Sequence, residues 1–154
     1  MFQIQGARFP QDRDALIAII REYISSTRVS LEYQHYEEER DGLPGKYAAP
    51  RGLMLLAWNA GVVVGCGGFR EVDATTCEMK RVYVRPEARG RQLGRQLMER
   101  LLQEARAAGY RRICLDVLPE FLAAQYLYES LGFRETKPVT QNPVPGSRFL
   151  GRDL

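Results

Sequence analysis

Apolar positions along the chain change their period from stretch to stretch, and the changes mark out its elements. Phe2–Arg8 alternates weakly and predicts a first strand, followed by Pro10 and a capping Asp12. Leu16, Ile20, Tyr23 and Ile24 then recur at helical spacing, so a helix is predicted to run to about Ser26. A second, more polar helix is predicted over Leu31–Asp41, stopped by Gly42, Pro44 and Gly45. Leu53–Trp58 and Val62–Glu71 read as strands joined by a tight turn at Asn59-Ala60-Gly61, and a further turn at Asp73–Thr75 leads into a strand over Cys77–Val84. Strands joined this closely predict an antiparallel meander.

The longest helical pattern follows. Leu93, Leu97, Leu101, Ala105 and Ala108, with Met98 and Leu102 beside them, make a broad apolar stripe ending at Gly109. Arg112–Val117 reads as a short buried strand reached by a right-handed crossover. Pro119 is expected to open another helix, with Ala124, Leu127, Tyr128 and Leu131 on one face and Gly132 as its stop. Phe133–Thr136 and Arg148–Asp153 are predicted strands, separated by a loop at Gln141–Gly146 whose prolines and glycine exclude regular structure. No repeat, linker or low-complexity segment interrupts this order, so one domain over residues 1–154 is expected.

Composition narrows the function classes. The longest unbroken apolar runs, Ala15–Ile20 and Leu53–Trp58, are six residues each, far from the ~20 of a membrane span, and a cytoplasmic protein with no membrane partner is expected. The net charge of +3 is mild, but Lys80, Arg81, Arg85, Arg89, Arg91 and Arg95 fall within sixteen positions. A nucleic-acid binder would spread its basic residues along a face and interleave exposed aromatics, so nucleic acid is not expected as a partner. The acidic run Glu37, Glu38, Glu39 and Asp41 reads as a solvated helix face, with attraction of a cationic amine as the other reading. Cys66, Cys77 and Cys114 are odd in number, lack a C-x-x-C pair and sit in apolar surroundings, as reduced core cysteines do. His35 is the only histidine, which leaves no basis for a metal cluster or a Ser-His-Asp arrangement.

The basic cluster surrounds a strand that stops at Pro86, a glycine-bearing loop, and a helix that starts near Gln92. The first turn of a helix leaves backbone N–H groups unpartnered at the positive end of the dipole, and Gly90 and Gly94 allow a close approach, so this stretch predicts an anion site. Arg89-Gly90-Arg91-Gln92-Leu93-Gly94 resembles the acetyl-CoA pyrophosphate loop of the GNAT superfamily of N-acetyltransferases, R/Q-x-x-G-x-G/A. Ala124-Gln125-Tyr126-Leu127-Tyr128-Glu129-Ser130-Leu131-Gly132-Phe133 resembles its A-x-x-L-Y-x-x-x-G-F segment. The two motifs stand in the family's order with a short strand between them. Gln92 departs from the first glycine of the loop, and Phe121 stands where the family often has a cofactor-contacting asparagine; no cofactor role is carried onto Phe121.

The resemblance implies an α/β, GNAT-like acyl-CoA N-acyltransferase fold: a mixed, mostly antiparallel sheet with splayed fourth and fifth strands and helices on both faces. It implies acetyl-CoA as co-substrate, held by the backbone N–H groups of Arg91–Arg95, by the Arg89–Arg95 loop with Leu93 and Gly94, and by the backbone of Val82 and Val84. Tyr128 has two readings, a packed core tyrosine or the group that protonates the departing thiolate. Glu78, a carboxylate within an apolar and basic strand, is either an ion-pair partner of Lys80 on the same face or the general base that deprotonates the acceptor amine through water. Tyr33, Tyr36 and Asn142 fall where the family builds its acceptor pocket. The implied reaction is direct acetyl transfer to a small-molecule or peptide amine in a ternary complex, without a metal, and homodimers are common in the family. The other function class is a non-catalytic acetyl-CoA sensor of the same fold, supported by the departures at Gln92 and Phe121.

Overall fold

Three stretches of alternating residues pair as the meander expected of them. In the computed structural model, which describes residues 1–154, β1 (Gln3–Gly6), β2 (Leu53–Asn59), β3 (Val62–Glu71) and β4 (Thr76–Val84) lie side by side and antiparallel. The β2–β3 turn has Ala60 at φ 51° and Gly61 at φ 81°, the two positive values that a tight hairpin turn needs. At the next turn, Asp73 Oδ1 accepts the N–H groups of Thr75 and Thr76 at 2.9 and 2.8 Å. β5 (Arg112–Val117) runs parallel to β4, and β7 (Arg148–Asp153) and β6 (Arg134–Glu135) complete a seven-stranded sheet in the order β1-β2-β3-β4-β5-β7-β6.

Helices cover both faces, as expected. The apolar stripe of α3 (Leu93–Ala107) buries Leu93, Leu97, Met98 and Leu101 in the larger core, together with Met79, Ile113, Leu115 and Phe133. Tyr128 of α4 (Leu122–Ser130) belongs to the same core. On the opposite face α1 (Arg13–Ser26) packs Leu16, Ile19 and Ile20 over Met54, Leu56, Cys66 and Tyr83. A β-carbon on Gly65 of β3 would come within 3.2 Å of Leu97 and 3.3 Å of Leu93, so a glycine here lets the start of α3 sit directly on the sheet. No helix is long and apolar enough to cross a membrane.

Several boundaries differ from expectation. The helix predicted over Leu31–Asp41 is a 3₁₀ turn, Glu32–Gln34, and a short α2, Tyr36–Asp41, separated by His35 at φ 53°. A left-handed residue cannot lie inside an α-helix, so the pattern breaks there. Pro119 does not open α4; Phe121 N donates to Leu118 O, and the helix begins at Leu122. The strand predicted over Phe133–Thr136 pairs only at Arg134–Glu135. Cys66, Cys77 and Cys114 are buried and free.

Two features of β4 shape the site. First, β4 and β5 pair only at Thr76–Arg112, Cys77–Ile113 and Glu78–Cys114, after which the strands part. Second, the register with β3 steps from Gly68–Lys80 to Cys66–Tyr83, so β4 carries an extra residue, and Arg81 takes φ 64° there. Such a bulge bends the strand and turns its side chains. The buried Arg81 guanidinium holds the strained residue in place: its Nε lies 3.0 Å from Glu39 Oε2, another of its nitrogens donates to Gln34 Oε1, and it covers the Tyr36 ring at 5.4 Å. Glu39 is therefore not part of a solvated face, because it also accepts from Tyr47 Oη at 3.0 Å.

Candidate active site

The opening between β4 and β5 is a cavity of about 880 Å³, bounded by the start of α3, by α4, and by Tyr23 and Tyr33. At its α3 end the backbone N–H groups of Gly90–Arg95 have no acceptor, and the first helical bond is Gln96 N to Gln92 O at 3.0 Å. No acidic residue occupies this first turn. Gly90 takes φ 79° with open space where a side chain would stand, and Gly94 faces Leu127. Unpaired donors at a helix start beside a large opening fit a pyrophosphate.

The predicted loop residues divide by role. Arg89, Gly90, Gln92, Leu93, Gly94 and Arg95 border the cavity. The Leu93 side chain is buried in the core, so only its backbone can serve an anion. Arg91 does not border the cavity; its guanidinium stacks on Phe2 at 4.6 Å. Arg89 Nε donates to Val84 O at 3.0 Å, and Arg95 Nη2 donates to Ser130 Oγ at 2.7 Å, which fixes these cations at the rim. Gln92 takes φ 65°, so the position where the motif has glycine is one of positive φ. Val82 and Val84 border the cavity on the part of β4 that β5 no longer pairs.

Tyr128 lies at the cavity wall, 6 % exposed, and its hydroxyl makes no hydrogen bond within the protein. Its ring packs on Phe133 at 6.0 Å, and Gly132 at φ 91° ends the chain's helical path just beyond it. Burial pushes its pKa above the ordinary phenol value, so it remains a proton donor through neutral and mildly alkaline pH. Tyr23, whose pKa burial pushes up to about 12, stands between Tyr83 and Phe121 on the same cavity.

Glu78 sits at the last position where β4 pairs with β5, 1 % exposed, and lines neither cavity itself. It has no ion pair with Lys80. Its Oε1 lies 3.2 Å from Arg70 Nη2, and its Oε2 accepts from Thr140 Oγ1 at 2.9 Å. Arg70, Lys80 and Thr140 all border a second cavity of about 620 Å³, which shares Tyr33, Gln34 and Lys80 with the first. Asn142 borders the larger cavity; its Nδ2 donates to Asp116 Oδ2 at 2.7 Å while its Oδ1 accepts Val144 N at 3.0 Å, an Asx turn that shapes the 141–146 loop. Tyr36 borders neither cavity, because it is committed to Arg81.

Sequence reasoning missed Lys80 and Asp116 as site residues. Asp116 is a carboxylate in a buried strand, the same signal that singles out Glu78, and it faces the larger cavity. Lys80 carried no such signal, since a lysine in a strand is ordinarily a solvated one.

Residues 16–133 match the model of the acetyltransferase (GNAT) family. An uncharacterised N-acetyltransferase of Schizosaccharomyces pombe is 37% identical over 153 residues, covering 98% of this chain and 94% of that protein. Among solved structures, a GNAT-family acetyltransferase of Staphylococcus aureus has the same fold at a TM-score of 0.82 and 22% identity, covering 99% of each chain. The yncA protein of Salmonella typhimurium, solved with its cofactor acetyl-CoA, superposes at a TM-score of 0.72 with 24% identity, covering 99% of this chain and 94% of that one.

Proposed function

The chain belongs to the GNAT acetyltransferase family, and on that premise we propose that it transfers the acetyl group of acetyl-CoA directly to the amine of a small acceptor held in the same opening. The observation that carries this reading is the unpaired N–H array of Gly90–Arg95 at one end of a cavity whose other wall presents the free hydroxyl of Tyr128.

In this reading the N–H groups of Gly90–Arg95 hold the pyrophosphate, and the unpaired edge of β4 at Val82–Val84 takes the chain that links it to the acetyl group. Bound there, acetyl-CoA supplies an activated acyl group with a thiolate as its leaving group. Tyr128 donates a hydrogen bond to that sulfur. A thiol has a pKa of ~8.5 and burial holds the Tyr128 phenol above its ordinary value, so Tyr128 stabilises the thiolate chiefly by hydrogen bonding and gives up little of its proton. Glu78 draws the proton from the acceptor through water, with Arg70 and Thr140 fixing its carboxylate. Asp116 is the second reading for this base, because it borders the cavity directly and only its Oδ2 is engaged, by Asn142. Most of the acceleration comes from positioning two bound reactants in one opening.

The test is calorimetry with acetyl-CoA together with thiol release over a panel of primary amines. Binding with turnover on at least one amine is expected. Binding without turnover on any amine would make the chain a sensor, and absence of binding would refute both classes.

A further inference from the structure

Glu38 and Lys46 in the second cavity and Arg89 and Glu120 in the first make no ion pair, but Lys80 is the one charged residue that borders both cavities. Arg70 is paired with Glu78, and Arg81 is paired with Glu39. Lys80 is 9 % exposed and borders both cavities, yet its ammonium has no hydrogen bond and no carboxylate within 4.0 Å. Asp116 borders the larger cavity with Oδ1 unengaged. Glu78 and Cys114 are the last residues at which β4 and β5 pair with each other, and each strand advances two residues to reach Lys80 and Asp116. Alternation therefore puts both side chains on one face, on opposite sides of the opening.

Most of the Lys80 side chain is buried while its ammonium opens onto the cavities, so the charge is partly desolvated without a carboxylate at ion-pair distance. Burial pushes the Lys80 pKa down, and Glu78 and Asp116, beyond ion-pair distance, offset that only in part. The junction thus offers one cation and one anion with room between them. A ligand that carries one positive and one negative group close together satisfies both, whereas a simple amine leaves the lysine unpaired.

Resting on the N-acetyltransferase reading above, we propose that Lys80 and Asp116 select a zwitterionic acceptor, a free α-amino acid, with its carboxylate on Lys80 and its amino group toward Asp116. Lys80 is then a specificity residue for the acceptor. The phosphate loop at the far end of the cavity is untouched by it.

The test compares matched acceptors at saturating acetyl-CoA by thiol release: serine, serinamide and ethanolamine, and likewise alanine, alaninamide and ethylamine. The wild-type protein is expected to favour the acid over the amide by about tenfold or more in kcat/KM, the scale of one charge-assisted hydrogen bond. Lys80→Met is expected to lower kcat/KM for the acids through KM by about tenfold more than for the matched amides, and Lys80→Arg is expected to keep part of the preference. Equal use of acids and amides by the wild-type protein overturns this inference alone and needs no variant. A uniform loss on all acceptors in Lys80→Met, with acetyl-CoA still bound, also overturns it by reducing Lys80 to a packing residue. Acetyl-CoA binding with no turnover on any amine, charged or neutral, overturns the N-acetyltransferase reading as well.

Discussion

Replacing Gln92 with glycine isolates what the phosphate loop asks of its backbone. Gln92 stands at φ 65° and ψ 13°, a left-handed conformation, and its side chain is exposed without a hydrogen bond. An L-residue there costs about 1–2 kcal/mol against the right-handed region. Glycine removes that cost but loses roughly 0.5–1 kcal/mol through the greater freedom of its unfolded chain. Nothing else is lost, since Gln92 O still accepts from Gln96 N. The net gain is about 0.5–1 kcal/mol, which for a chain of this length raises Tm by roughly 1–4 °C. The anion donors are backbone groups, so the acetyl-CoA Kd should change by no more than about twofold. Gln92→Ala keeps the β-carbon and the strain, and should leave Tm unchanged. The assay is thermal unfolding of the three proteins with and without acetyl-CoA, with calorimetry for Kd. Stabilisation by alanine equal to that by glycine would refute the strain argument. A glycine variant that binds several-fold more weakly would show that the glutamine side chain itself serves the cofactor.

Other substitutions test the remaining wall of the site and the frame behind it. Tyr128→Phe should lower kcat by roughly 10–1000-fold, since a hydrogen-bond donor to the leaving thiolate is lost, while acetyl-CoA binding holds; wild-type turnover in steady-state assays would make Tyr128 a packing residue. Glu78→Gln should lose rate chiefly where the acceptor amine is protonated, so a pH–rate profile whose deficit does not shrink at high pH would move the base to Asp116, where Asp116→Asn should then show that shrinking deficit. Arg70→Met should destabilise by about 3 kcal/mol in chemical denaturation by leaving the Glu78 carboxylate buried without its cation, with Arg70→Met/Glu78→Gln recovering part of the loss. Asp12 is held below the usual carboxylate range chiefly by its hydrogen bond from Arg8. Its contribution is therefore present above the unfolded pKa of about 3.9 and lost as pH falls through the lower folded value, so the stability gap between wild type and Asp12→Ala should narrow in acid.

The parts of this molecule that could be read from its sequence are those in which a local pattern has one low-energy solution. The α3 stripe and the meander are of this kind, because burial at a fixed period leaves a single face and a single register. The unpaired N–H groups ahead of α3 were legible for the same reason: a glycine-bearing loop before a helix leaves donors free whatever the surroundings. What stayed illegible depends on a residue leaving its local preference. His35 and Arg81 both take positive φ, which no pattern of apolar and polar residues encodes. The bulge at Arg81 has the wider consequence. One extra residue in β4 lets Arg81 turn toward Glu39 and Gln34 while Lys80, its neighbour, lies buried at the junction of the two cavities. Of the acidic run that read as a solvated helix face, Glu39 is drawn inward by this arginine while Glu37, Glu38 and Asp41 stay exposed, and the expected Glu78–Lys80 pair is replaced by Glu78–Arg70. A basic cluster that sequence alone assigns to the cofactor thus divides in space. Arg89 and Arg95 stay at the cavity rim beside the start of α3, and Lys80 lies where the two cavities meet without a counter-charge. The division follows from geometry rather than composition: on an unbulged strand, strict alternation would put Arg81 on the opposite face from Lys80, away from Glu39.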